Sequence, residues 1–250
     1  EYAVDNDFYY VPGKPFQVPV WPTDYTPLGG DASPMLDGTF AENPAKWTGN
    51  GARAPQPKFD DWYETVKINY GVRPGGTFDF PRLPADYASK DWPAHYAFWQ
   101  GKTVPSSWKK FRDITQFWLA QGVDGFRYDM AEMVPVEFWS YLNSQIKHTD
   151  PDALLLAEVY NPKLYRDYVH LGKMDYLYDK VDFYDQMKRI MQGKSDTTPL
   201  VAIQADYADI EHHLLHFLEN HDEQRIASPE FAGDACIGMP AMVVSATIST

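Results

Sequence analysis

The sequence predicts an α/β fold built on a parallel sheet, and three observations carry that reading. From about residue 105 onward, short apolar runs alternate with amphipathic helical segments, the texture of β/α units whose strands are covered on both faces. Several of these runs end in charged or hydrogen-bonding residues: Arg127 and Asp129, then Glu158, then His221 and Asp222. Residues 1–104 differ. They carry many of the prolines and glycines among scattered Trp, Tyr and Phe, with no period that runs far, which marks an irregular, loop-rich unit.

Within that unit the segments PGKPFQVPVWP, PLGG, RPGG and FPRLP punctuate the chain, and Thr65–Tyr70 alternates like one strand. Its aromatic content argues for loops tied down by ring contacts rather than for disorder. After Pro105, Ser106 and Ser107 are placed to cap a helix reaching Gln121. Trp108, Phe111, Ile114, Phe117 and Trp118 are read as one buried face of it. Gly122 stops the helix. A strand over Val123–Asp129 follows, then a helix over Val136–Lys147 and the apolar run Ala153–Ala157, which ends in Glu158. Asn161-Pro162 opens another helix, Met174–Tyr178 reads as a third strand and Asp182–Gln192 as a helix. Leu214–Leu218 is the fourth run, leading into Glu219-Asn220-His221-Asp222.

Composition bounds the function classes. At 250 residues and 44% hydrophobic the chain has material for a sizeable core. A net charge of −13 argues against nucleic acid as a partner, because a phosphate backbone calls for a basic footprint. The single cysteine, Cys236, excludes an internal disulfide. There is no signal-peptide pattern and no apolar run of membrane-spanning length. Aromatics at 16% supply polar-tipped rings that suit sugar faces as well as ordinary cores.

Side chains two apart on a strand point the same way, so Arg127 lies close enough to Asp129 to hold it ionised and oriented. Such a carboxylate serves as a nucleophile or an electrostatic stabiliser; the same spacing also fits a surface ion pair. In a parallel β/α barrel the C-terminal strand ends share the face that carries the active site. Three carboxylates converge there with Arg127 and His221. One can attack, one can donate a proton and one can orient a substrate, which weighs the reading toward chemistry.

Gly125-Phe-Arg-Tyr-Asp129 resembles the strand-4 motif of the alpha-amylase family, glycoside hydrolase family 13. Ala157-Glu158-Val159 is similar to that family's strand-5 motif, and Phe217-Leu-Glu-Asn-His221-Asp222 to its strand-7 motif. The resemblance covers about residues 105–235. It implies a partial (β/α)8 TIM barrel, with residues 105–250 running from about helix 3 to helix 7 and residues 1–104 as an irregular domain B inserted after strand 3. It also implies a retaining α-glycoside hydrolase acting on α-1,4-glucosidic bonds of starch, glycogen or maltooligosaccharides. The alternatives are a transglycosylase with the same machinery and a non-catalytic α-glucan-binding protein on the same fold. In the implied roles Asp129 is the nucleophile with Arg127 its partner, and Glu158 is the general acid/base. Asp222 grips sugar hydroxyls with His221 donating a hydrogen bond. Arg225 either steadies this loop or is a surface charge.

The sequence departs from the family in two places. The first motif, an Asp and an Asn-His pair at the end of strand 3, is absent. Half a barrel would leave sheet edges and apolar faces open, so the chain is read as a segment of a longer enzyme; a folded, monodisperse native protein of this chain's mass would contradict that. Many amylases carry Lys-His three and four positions after the aspartate, with the His carbonyl on calcium. Here those positions are Glu132 and Met133, so the residues present do not support calcium and metal stays unassigned. Glu132 is either a sugar ligand or a solvated helix-start charge. The Tyr176/Tyr178 and Trp62/Tyr63 pairs stack on sugar or, more ordinarily, pack the fold. His212, His213 and His216 read as a solvated helix face rather than a metal cluster. A polymer substrate would fit an extracellular or periplasmic setting.

Overall fold

Four short strands make one sheet: β1 (Gly125–Tyr128), β2 (Leu154–Ala157), β3 (Tyr176–Tyr178) and β4 (Leu214–Leu215). Their order is β1-β2-β3-β4 and every neighbouring pair is parallel. This computed structural model describes residues 2–23 and 41–248, so the PLGG segment lies outside the described residues. The chain divides into two units, Glu1–Pro81 with Gly101–Phe111, and Arg82–Gln100 with Arg112–Thr250.

The second unit has the β/α alternation that the sequence predicts. Parallel neighbours need crossovers. Helix α3 (Val136–Thr149) lies between β1 and β2, α4 (Tyr165–His170) between β2 and β3, and α5 (Asp185–Met191) with α6 (Thr198–Asp206) between β3 and β4; α7 (Ala235–Thr247) follows. On one face of the sheet Leu155, Ala157 and Leu177 are fully buried. Tyr128 shares that face with Ala157 by register and packs on Trp139 of α3, ring centroids 4.5 Å apart. The opposite face shows Leu154 at 49%, Tyr176 at 37% and Leu215 at 39% exposure, the open apolar surface expected of a partial barrel. A further cluster joins Phe183, Tyr184 and Met187 to Leu200, Leu218, Phe231 and Ala241. No helix among the described residues is long and apolar enough to cross a membrane.

Several elements differ from expectation. The fourth run leaves the ladder after Leu215, and Leu218 turns into the core instead. The first residues of the helix expected from Asp182 form part of a π-helical turn, Lys180–Tyr184, whose Phe183 N–H is taken by the Asp179 carboxylate at 3.1 Å. A helix not foreseen, α1 (Trp92–Trp99), is capped by Asp91 and has proline in its first turn, a start signal of the usual kind. It buries His95 and Trp99. The helix at Ser106, α2 (Ser106–Ala120), is present, but Ile114, Phe117 and Trp118 are 51%, 57% and 50% exposed. At 3.6 residues per turn, Trp108 and Thr115 share a side, Ile114 and Phe117 point away from it and Trp118 lies on its flank. Trp108 and Thr115 are accordingly buried.

The first unit is irregular, as its composition predicts. Thr65–Tyr70 forms no strand; its alternation appears as two isolated antiparallel bridges, Val66 with Thr48 and Ile68 with Phe8. Rings anchor the loops: Tyr9 stacks on Trp47 at 4.6 Å and Phe80 packs on Trp108 at 4.8 Å. Buried Asn69 donates to the carbonyls of Ala3 and Asn6 and accepts from the Gly71 N–H. Gly71 has φ +83°, and a Cβ there would meet the Pro105 ring at 2.5 Å, so no other residue fits. Trp62 is half exposed while Tyr63 is buried, which separates that pair.

Candidate active site

Strand register builds the site. Tyr128 pairs with Ala157, so the next residue of each strand, Asp129 and Glu158, comes out at the same C-terminal edge. Backbone bonds continue the ladder there, Glu158 N–H to Tyr128 C=O at 3.0 Å and Ala131 N–H to Glu158 C=O at 2.9 Å. Arg127 donates through Nη1 to Asp129 Oδ1 at 2.6 Å. Its Nη2 lies 3.4 Å from Glu158 Oε1, an ion-pair approach without hydrogen-bond alignment. One guanidinium therefore holds both carboxylates. Burial works against its charge, but the Asp129 hydrogen bond and the Glu158 charge outweigh that and raise the Arg127 pKa. The Tyr178 ring lies 5.7 Å from the same guanidinium.

The two carboxylates differ in setting. The Asp129 side chain is 72% exposed and open to a ligand, whereas that of Glu158 is 4% exposed. Glu158 is held by two donors that the sequence reading did not identify. The Met130 N–H reaches Oε2 at 2.9 Å and the Tyr160 hydroxyl reaches Oε1 at 2.5 Å. Met130 has left-handed backbone, φ 43°, ψ 43°. That conformation is costly for a side chain with a Cβ and concentrates at functional sites. Burial, then the hydrogen bond to Glu158 and the negative charges of Glu158, Asp222 and Glu223, push the Tyr160 phenol well above its ordinary pKa, so it stays a donor.

Glu132 is neither a solvated helix-start charge nor free to act as a sugar ligand through Oε2. That oxygen accepts the main-chain N–H groups of Tyr160 at 3.1 Å and Asn161 at 2.8 Å. It ties the loop after β1 to the loop after β2. No group of three or more His, Cys, Asp or Glu able to hold a metal occurs among the described residues.

His221 and Asp222 pair with each other, Nε2 to Oδ2 at 3.1 Å, and both are exposed. They are not in direct contact with Asp129 or Glu158 in the bonds described; Asp222 acts on the site through its field at Tyr160. Their loop is stapled. Asn220 Oδ1 accepts the N–H groups of Asp222 and Glu223, each at 2.8 Å. Arg225 pairs with Glu219 at 2.9 Å, and Glu219 also accepts the Ile226 N–H at 2.9 Å. Glu223 bonds Lys180 at 3.0 Å, and Lys180 bonds Asp185 at 2.8 Å. Burial opposes the Glu223 charge, yet Lys180 and Tyr184 hold its pKa below the usual range.

The histidines separate. His213 Nδ1 faces the Asp175 carbonyl at 2.8 Å on a short 3-10 turn before β4, the end of the sheet away from the carboxylates. His216 is not on a helix face; its side chain is 3% exposed and stacks on Phe183 at 3.9 Å.

Comparison with known proteins places these features. Residues 98–245 match the family model described as alpha amylase, catalytic domain. An alpha-1,4-glucan:maltose-1-phosphate maltosyltransferase of Cereibacter sphaeroides is 31% identical over 121 residues, 48% of this chain and 18% of that protein. Neopullulanase 2 of Thermoactinomyces vulgaris is 39% identical over 49 residues, 20% of this chain and 8% of that protein. Among solved structures, the cyclic alpha-maltosyl-(1→6)-maltose hydrolase from Arthrobacter globiformis is 22% identical with a TM-score of 0.49, covering 54% of this chain and 31% of that one. The chain thus spans under a fifth of the length of the curated relatives quoted.

Proposed function

This chain belongs to the alpha-amylase family, and on that premise we propose that it carries the catalytic carboxylates of a retaining α-glycosidase cleaving α-1,4-glucosidic bonds. The observation that supports this most is Arg127 bridging Asp129 and Glu158. Retaining glycosidases need two carboxyl groups about 5–5.5 Å apart with unlike roles. Asp129, open and charge-stabilised, attacks the anomeric carbon while Glu158 gives its proton to the leaving oxygen. The bond to the leaving sugar breaks as the bond to Asp129 Oδ forms. Glu158, now bare, takes a proton from water, whose oxygen displaces Asp129 and restores the starting anomeric configuration. Asp222, with His221, binds sugar hydroxyls more tightly as the ring flattens, which favours the transition state over the ground state.

A second reading is favoured by the match to a maltosyltransferase. There a sugar hydroxyl replaces water in the second half, with the same covalent intermediate. One experiment separates the readings: the full-length protein is incubated with a defined maltooligosaccharide while product length and anomeric form are followed. Shorter α-configured products support hydrolysis, and products longer than the starting sugar support transfer. Asp129→Asn is expected to abolish either while sparing glucan binding. Undiminished turnover in that variant removes Asp129 from its role, and no turnover from a folded wild-type protein that binds the sugar favours a non-catalytic glucan-binding protein.

A further inference from the structure

We propose that Tyr160 is a positioning residue for Glu158, donating from its hydroxyl to Oε1 and locked in place through its main chain by Glu132. This rests on the reading of Glu158 as the general acid/base. Tyr160 lies two residues beyond Glu158 and its hydroxyl sits 2.5 Å from Oε1, while the Met130 N–H holds Oε2 at 2.9 Å. Each carboxylate oxygen has one donor and keeps a lone pair for a reacting proton. The Glu132 carboxylate fixes the Tyr160 and Asn161 N–H groups, and the Asn161 side chain in turn accepts from the Lys163 N–H at 3.2 Å. The ring is thus set by the loop after β1, the loop that also carries Met130.

The acid/base must give up a proton in one half of the cycle and accept one in the other. A phenol that donates to Oε1 binds the bare carboxylate better than the protonated acid. Its bond therefore strengthens as the proton moves to the leaving oxygen, and a preorganised donor of this kind lowers the barrier without reorganising. Tyr160 transfers no proton itself.

The test uses the full-length protein and four variants: Tyr160→Phe, Glu132→Gln, Asp129→Asn and Glu158→Gln. Tyr160→Phe removes one hydroxyl and keeps the ring. It is expected to lower kcat on an unactivated glucan by about tenfold to a hundredfold, the range for a hydrogen bond to a charged group, with KM changed by about twofold or less. The alkaline limb of its rate–pH profile moves to higher pH, because the variant lacks a donor that favours the bare carboxylate. Glu132→Gln keeps shape but weakens the clamp, and its profile moves in the same direction by less. Wild-type kcat and pH profile in Tyr160→Phe would overturn the proposal, as would a loss confined to KM or to melting temperature. Turnover that survives in Asp129→Asn and Glu158→Gln would instead overturn the functional reading beneath it, whatever Tyr160→Phe does.

Discussion

Lowering the pH from 7 to 4 probes the packing of α1 on α3 at one residue, His95. Its ring is fully buried. Nε2 faces the Tyr87 carbonyl at 2.9 Å, and a carbonyl only accepts, so Nε2 carries the hydrogen. Nδ1 then accepts from the Ser140 hydroxyl at 2.8 Å, and the Ser140 oxygen accepts from the Trp99 indole N–H at 2.8 Å. A second ring proton would point at a hydroxyl already oriented toward the ring. Desolvation, aided by the Lys173 and Lys90 charges, pushes the His95 pKa from 6.5 to about 4 against the pull of Tyr87 and Asp91. Above pH 6.5 the ring is neutral in both folded and unfolded chains. Below it the unfolded chain takes a proton that the folded chain refuses until about pH 4, so stability falls across that window. At about 1.4 kcal/mol per pH unit the gap corresponds to about 3 kcal/mol, a large share of a typical domain's stability. Urea unfolding of the full-length protein at pH 7, 5 and 4 reads this, with His95→Gln as the reference that does not titrate. The wild type is expected to lose about 3 kcal/mol more than the variant between pH 7 and 4. A wild-type-minus-variant difference that stays constant with pH refutes the reasoning.

Arg127→Lys replaces a planar fork by a point charge that cannot hold Asp129 and Glu158 together; kcat is expected to fall about a hundredfold in steady-state assays with the fold intact by circular dichroism, and an unchanged kcat removes the bridging role. Met130→Val puts a β-branched side chain where φ is 43°; it is expected to cost about 1–2 kcal/mol in thermal unfolding and to lower kcat as the N–H leaves Glu158, whereas Met130→Gly keeps the geometry. A valine variant as stable and active as the parent shows that the left-handed turn is not required.

The sheet was legible because its strands are short apolar runs with a period shift on either side, and their parallel order follows from the helices between them. What misled was a stripe counted along the sequence instead of around a helix. Trp108 and Phe117 look periodic in a list, yet nine residues at 100° each place them on opposite sides, and Phe117 is 57% exposed where Trp108 is buried. Helix α1 was missed for another reason. Its Asp-Trp-Pro start is a capping signal, but it lies in a stretch whose prolines and glycines set the local expectation to loop.

Within the site, Glu158 and Tyr160 are two residues apart, the same spacing as Arg127 and Asp129. A tyrosine in a chain rich in tyrosine carries no signal by composition. The Tyr160 hydroxyl nevertheless lies on Glu158 Oε1. Met130 and Glu132 belong to a different kind of information. A backbone N–H aimed by a left-handed turn has no side-chain signature, and a carboxylate that serves two N–H groups 28 and 29 residues away looks in sequence like any solvated acid. The proposed reacting groups stand out in the sequence because chemistry restricts such groups to a few residue types at strand ends. Their supports do not, because a hydrogen bond to the main chain places almost no demand on the sequence of the residue that donates it.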